Sequence, residues 1–260
     1  FCDWSSDVCS SDLAVVEKYI IGAGGTITSA NVTIPLTNVG AISVSPDNTT
    51  VILADINTEQ VKAWSSSTGI FLWSLGTAES YITDATVKDN KFYWKDVRGE
   101  YATFLCYMPD GSFYVGDPQN RRVQHFAANR TFIDRIMYLS SYYNAFADPN
   151  NPTRVFADYL EFKIDYTKPL TAGNNSAWSL EKNWGANISS AYDFFEKMKY
   201  VVTLSNGRTY ARIRRVNEYS IIELVEGGSA RFTNVIIPSF GMISKDGSML
   251  TSSIATLGRF

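Results

Sequence analysis

The chain has 260 residues, 45% of them hydrophobic and 19% charged, with a formal net charge of -3. This composition excludes wholesale disorder, and the acidic balance argues against a dedicated nucleic-acid binder, which carries a basic surface. No run of about 18 apolar residues exists, so no transmembrane helix is expected. Aromatic residues reach 14%, and the abundant Tyr, Phe, Thr and Val suit half-buried pleated strands.

Residues 1–13, FCDWSSDVCSSDL, have a Ser/Asp-rich composition without periodicity. The run Asp3 to Leu13 resembles an in-frame translation of sequencing-adapter sequence, so 1–13 reads as a non-native leader. On that reading the true N-terminus is missing. The remainder holds 23 basic and 23 acidic residues and one cysteine, Cys106. A lone cysteine forms no internal disulfide, and Cys106 in the apolar run Ala102 to Met108 reads as a small core residue. Gly22 to Gly25 follows Tyr19-Ile-Ile21 but lacks a G-x-G-x-x-G pattern and a Walker lysine, so it reads as a plain turn.

Two segments then align. Ser45 to Trp64 and Met108 to Phe126 match at Pro46-Asp47 with Pro109-Asp110, Asp55 with Asp117, Val61 with Val123 and Trp64 with Phe126. A weaker echo lies at Ser244 to Leu250, with Lys245-Asp246-Gly247 at the turn. Each copy reads as four short strands. Ala41 to Ser45 and Thr103 to Met108 run into Pro-Asp-Asn and Pro-Asp-Gly turns, where Pro presets its angle and Asn or Gly tolerates a positive one. Thr50 to Ala54 and Ser112 to Gly116 follow, each ending at an Asp that can accept from nearby amides. The third strands are Gln60 to Ser65 and Arg122 to Ala127, and the fourth Ile70 to Ser74 and Thr131 to Ile136. Four antiparallel strands per repeat is the pattern of a propeller blade. The copies stand 62 residues apart, more than the roughly 40–50 of one blade. The surplus around Gly76 to Tyr101, including Lys91-Phe-Tyr-Trp94, is either a strand-bearing insertion or part of a degenerate blade.

The second half stays β-like. Arg154 to Tyr166 alternates Leu160, Phe162 and Ile164 with Glu161, Lys163 and Asp165, a strand with one buried face. Ala177 to Trp184 is its candidate partner. Asn206-Gly207 between Tyr200 to Leu204 and Arg208 to Ile213 signals a hairpin. Tyr219 to Val225 and Ala230 to Ile237 are further strands, and Ala191 to Lys199 is the one short helix expected. About five blades' worth of sequence follows residue 13, on roughly 45 residues each.

Asp110-Gly111, Val115, Asp117, Asn120, Arg122, Val123, Gln124 and Phe126 resemble the NHL repeat. The copy at Ser45 to Trp64 departs from it, with Thr58 and Gln60 where Asn120 and Arg122 stand. The resemblance implies a six-bladed propeller of a kind that mostly serves as a binding scaffold, and the style is similar to bacterial secreted propellers. In such repeats Asp117, Asn120 and Arg122, with Asp55, tie turns and strands together. NHL-type amidating lyases use metal-binding histidines, and His125 is the only histidine here.

A single histidine excludes a multi-histidine metal site, and a Ser-His-Asp triad would have to use His125 without any G-x-S-x-G elbow. No catalytic or metal-ligating residue is assigned and no cofactor is expected, although scattered Asp-rich turns leave calcium open. Arg121, Arg122, Arg130 and Arg135 form one basic group and Arg208, Arg212, Arg214 and Arg215 another; with acids such as Glu218 and Glu223 nearby they read as solvated strand faces rather than an RNA surface. Trp94, Tyr142, Tyr143, Trp178 and Trp184 could stack on sugars, while most aromatics serve the core. The binding candidates are Trp94, Arg121, Arg122, Tyr142 and Tyr143.

The expected architecture is all-β, an incomplete β-propeller of four-stranded antiparallel blades over 14–260, with repeats clearest at 40–75 and 102–137. The expected function is non-catalytic binding or scaffolding, engaging protein or carbohydrate through a blade face, in an extracellular, cell-surface or periplasmic setting. The alternative is a propeller hydrolase or lyase using carboxylate or calcium chemistry in the central channel.

Overall fold

The computed structural model describes residues 15–22, 25–78, 80–94, 103–138, 142, 144–171, 176–188, 197–215, 218–237, 241–243, 245–253 and 256–259. The leader 1–13 and most of the expected helix lie outside these residues. The described chain is all-β and belongs to the β-propeller class. A hairpin, β1 (Val16–Ile21) and β2 (Ile27–Ile34), precedes the first blade, which is β3 (Val39–Val44), β4 (Thr50–Asp55), β5 (Gln60–Ser65) and β6 (Phe71–Leu75). The second blade is β7 (Leu105–Tyr107), β8 (Phe113–Asp117), β9 (Arg122–Phe126) and β10 (Phe132–Met137). The third is β11 (Ala145–Asp148), β12 (Asn151–Ala157), β13 (Leu160–Ile164) and β14 (Trp178–Asn183). The fourth is β15 (Lys199–Thr203), β16 (Thr209–Arg215), β17 (Glu218–Leu224) and β18 (Ala230–Ile237). A three-stranded sheet, β19 (Gly241–Ile243), β20 (Met249–Ser253) and β21 (Thr256–Arg259), follows. All pairings are antiparallel and run in sequence order.

Turn chemistry explains the meanders. The turn after the first strand of each four-stranded blade and of the three-stranded sheet carries an Asp or Asn whose side chain accepts the N–H two residues on: Asp47 from Thr49, Asp110 from Ser112, Asp148 from Asn150, Asn206 from Arg208 and Asp246 from Ser248, at 2.9–3.1 Å. Asn48 and Gly111 supply the positive φ these turns need, at 57° and 82°.

The chain divides into two compact units, the first comprising residues up to Glu79 with Lys88–Tyr138, the second Ser80–Val87 with the residues from Leu139 on. In the first unit β3 lies beside β7, and the Tyr107 N–H donates to Ser43 Oγ at 3.1 Å. First strands are therefore inner strands, and β6 and β10 are outer. Ile52, Ala54, Val61 and Ala63 of the first blade pack with Leu105, Phe113, Val115 and Phe126 of the second. In the second unit β11 lies beside β15, and Phe156, Val201, Ala211, Ile213, Ile222 and Leu224 form the core with Trp184.

Four sequence expectations change. Lys91 to Trp94 is neither a strand nor a degenerate blade. It is a buried irregular segment whose Phe92 and Trp94 rings stack at 5.0 Å inside the first unit's core. Burying each such ring contributes about 2–3 kcal/mol. Arg154 to Tyr166 is not one strand. It breaks at Asp158, whose φ of 54° turns β12 into β13 and pairs Phe156 with Glu161. Of the helix expected over Ala191 to Lys199, residues 191–196 lie outside the described residues, Lys197 and Met198 are not helical, and Lys199 opens β15. Cys106 is half-buried and disulfide-bonded, with its partner outside the described residues, so it is not an unpaired core thiol.

Candidate functional site

The repeat-motif residues form a closed polar network in the second blade. Asp117 ends β8 with its side chain fully buried. Its Oδ1 accepts the Tyr93 N–H at 2.9 Å, and its Oδ2 accepts Asn120 Nδ2 at 2.9 Å and Arg122 Nε at 2.7 Å. Arg122 Nη2 donates to the carbonyls of Lys88 and Lys91, both at 2.8 Å. The network thus pins the irregular segment 88–94 to the β8–β9 turn. Arg121 sits at that turn in the left-handed region, half-buried. Burial pushes the Asp117 carboxyl up, while Arg122, Asn120 and the Tyr93 N–H pull against it. Asp110 takes both the N–H and the hydroxyl of Ser112, at 2.9 and 2.7 Å. Val123 pairs with Gly116 in the ladder, and Phe126 packs in the core. These carboxylates hold turns and strand ends in place.

Two of the five binding candidates are interior. Trp94 is buried, its Nε1 donating to the Gly116 carbonyl at 2.9 Å, and Arg122 is buried in the ion pair with Asp117. Neither offers a surface to a ligand. Tyr142 is half-buried and edge-on to Phe162 at 6.5 Å, and Tyr143 lies outside the described residues. Trp184 is buried with its Nε1 on Glu161, and Trp178 leans on Phe162. Arg130 stacks over Trp73 at 5.1 Å and Arg135 pairs with Asp89 at 2.6 Å. Arg212 is buried between the rings of Tyr200 and Tyr219. The basic groups noted in the sequence are thus largely engaged with carboxylates and rings.

His125 completes an arrangement that sequence spacing hid. Its Nε2 lies 3.0 Å from Ser112 Oγ and its Nδ1 3.5 Å from Asp134 Oδ1, while its ring stacks on Tyr114 at 4.2 Å. The ladder does this, because β8, β9 and β10 place Tyr114, His125 and Asp134 abreast. Ser112 also donates its hydroxyl to Asp110 Oδ1 at 2.7 Å, so the serine is shared between a turn carboxylate and the imidazole. Ser112 is also buried.

Exposed apolar surface concentrates on the hairpin and on β6. Ile21 is 76% exposed and Ile27 67%; Ile70 is 64%, Phe71 51% and Leu72 47%. The hairpin adjoins the β5–β6 turn, since Lys18 Nζ donates to the Ser66 carbonyl at 3.0 Å. Gly69 approaches so closely that a Cβ there would stand 2.6 Å from the Thr33 carbonyl oxygen. The sequence signal was the unbroken run Ile70-Phe-Leu-Trp73, which lacks the alternation of a strand with one polar face.

No protein-family model matches the chain, and no curated protein matches it. Among solved structures, the chain is similar to a functionally unknown protein from Desulfotomaculum acetoxidans DSM 771, at 10% identity and a TM-score of 0.27, over 85% of this chain and 61% of that one. It is similar to hydrazine synthase of Kuenenia stuttgartiensis at 13% identity and a TM-score of 0.29, over 90% of this chain and 60% of that one. It is similar to virginiamycin B lyase from Staphylococcus aureus at 10% identity and a TM-score of 0.30, over 95% of this chain and 77% of that one. The chain spans about three fifths of the length of the first two.

Proposed function

We propose that this protein is a non-catalytic binding module of NHL-like propeller type, acting outside the cytoplasm and engaging a protein partner through a blade surface of its first unit. The observation that carries the reading is exposed apolar surface on two adjoining elements, at Ile21 and Ile27 of the β1–β2 hairpin and at Ile70, Phe71 and Leu72 where β6 begins. Apolar side chains grouped on a soluble surface mark interaction sites. Their mainly aliphatic character suits a protein better than a carbohydrate, whose rings call for exposed aromatic planes beside polar donors. β6 is also the last strand of its sheet and pairs only with β5 among the described strands, the position at which strand addition would occur.

The test is selection of a phage-displayed peptide library on the immobilised protein, in parallel with a glycan array, using wild type and Phe71→Glu. The expected result is saturable peptide binding that Phe71→Glu weakens by about tenfold or more, with unchanged circular dichroism. Selected peptides indifferent to Phe71→Glu, or saturable binding confined to glycans, overturns the reading.

A further inference from the structure

The fourth blade and the sheet that follows it enclose a cleft of about 600 Å³. Volumes of roughly 300–1,000 Å³ suit small organic ligands. Its walls are apolar: Leu204, Ile221, Phe232, Val235 and Ile243. Its polar groups gather around Glu223 of β17. Arg208 holds that carboxylate with two contacts, Nε to Oε1 at 2.5 Å and Nη2 to Oε2 at 2.7 Å, and Arg231 Nη2 reaches Oε2 as well. Register explains the convergence, because Glu223 pairs across the ladder with Tyr210 on one side and Arg231 on the other. The Arg208 guanidinium is further held over the Tyr210 ring at 5.5 Å.

Charge does not balance in this cleft. Among the described residues that line it, two guanidinium groups face one carboxylate. Glu223 is ionised throughout the ordinary pH range, since the Arg208 and Arg231 contacts outweigh its desolvation and bring its pKa from 4.5 to about 2. One positive charge is therefore left over. Each guanidinium carries five N–H donors, and the carboxylate takes two from Arg208 and one from Arg231. Both arginines line the cleft, and their side chains remain 49% and 63% exposed, so both are accessible to a ligand.

We propose that this cleft binds a small amphipathic monoanion, an apolar or aromatic body carrying a carboxylate or sulfonate, with the body against Leu204, Ile221, Val235 and Ile243 and the anionic head on Arg208 and Arg231. An apolar wall alone would accept any hydrophobic molecule; the surplus guanidinium charge selects the anion. The cleft lies in the second unit and is independent of the hairpin and β6 surface.

The test uses a matched pair of probes on the full chain: 8-anilinonaphthalene-1-sulfonate, and N-phenyl-1-naphthylamine, which has the same aromatic body without the sulfonate. Fluorescence titration should show one saturable site that prefers the sulfonate by about tenfold. The double variant R208Q/R231Q should abolish that preference while leaving the neutral probe within about twofold. Glu223→Gln, which frees both guanidinium groups, should tighten the sulfonate severalfold. Should the double variant lose its native circular dichroism, Arg231→Gln alone, at the more exposed arginine, should still weaken the sulfonate by about threefold. Equal affinity for the two probes, sulfonate binding unchanged in these variants, or no saturable binding overturns the proposal.

Discussion

Asp55 in the first blade and Asp117 in the second close equivalent strands, yet they meet different cations in different surroundings. Asp117 is sealed off, and its partner Arg122 is 1% exposed. Asp55 is nearly as buried, but its partner is Lys62, two residues beyond the position equivalent to Arg122, with 21% of its side chain exposed. Lys62 Nζ reaches Asp55 Oδ2 at 2.5 Å, helped by Thr58 Oγ1 at 2.8 Å and the Asn57 N–H at 2.9 Å. The difference follows the irregular segment. In the second blade Arg122 needs a planar fork, because it must serve Asp117 and two carbonyls of segment 88–94 at once. In the first blade, among the described residues, that segment meets Glu59 rather than the cation of Asp55, and a single ammonium near solvent suffices. The lesson is that the motif's arginine is a clamp for buried irregular backbone, and a blade without such backbone can relinquish it.

The largest expected effect comes from breaking the clamp. Arg122→Met leaves Asp117 buried without its cation and two carbonyls without their donor. Loss of one partner of a buried pair costs about 3–5 kcal/mol. Urea denaturation followed by tryptophan fluorescence should show this as a lower midpoint. A change below about 1 kcal/mol would mean that the second blade tolerates a lysine-style or vacant arrangement as well as the first.

The residue before each Asp gives an intermediate effect. The first blade has Ala54 there and the second Gly116. A Cβ at Gly116 would stand 2.6 Å from Phe104 Cδ1 and 3.0 Å from the Phe104 backbone nitrogen. The Gly116 carbonyl meanwhile accepts from Trp94 Nε1 at 2.9 Å and Thr103 Oγ1 at 2.7 Å, which fixes the strand in place. Gly116→Ala should therefore cost about 1–3 kcal/mol through overpacking. Unchanged stability by the same urea measurement would show that Phe104 can move aside.

How much of this was legible follows from the same residues. The blades could be read because Pro46-Asp47 and Pro109-Asp110 announce their turns and the strands between them alternate. The repeat faded later because its turn signals are unevenly spaced. Asp47, Asp110, Asp148, Asn206 and Asp246 stand 63, 38, 58 and 40 residues apart, and Asp148 precedes a proline instead of following one. The role of segment 88–94 was not legible, since Phe92 and Trp94 look like alternate residues of a strand. Only the fold shows that Glu59 and Gly116 accept from Trp94, and Asp117 from the Tyr93 N–H. The cleft at Glu223 was invisible for a different reason. Arg208, Glu223 and Arg231 come from three strands or their turns, and they meet only once β16, β17 and β18 are in register.

The smallest effect separates the two carboxylates by acid. Desolvation raises the Asp55 pKa, but Lys62, Thr58 and the Asn57 N–H together outweigh it, and the net value lies below 3.8. A carboxyl with a depressed folded pKa contributes stability that is complete above its unfolded value and is lost as pH falls through the folded one. Lys62→Met removes part of that depression. Because Lys62 is partly solvated, the variant should lose only about 1 kcal/mol at neutral pH. The gap between wild type and variant should persist down to about pH 4 and then close as Asp55 takes up its proton in both. Urea midpoints measured from pH 7 to pH 2.5 would show this convergence. A gap that stays constant to the lowest pH would mean that Lys62 acts through the packing of its aliphatic stem, and that the first blade's carboxylate needs no cation at all.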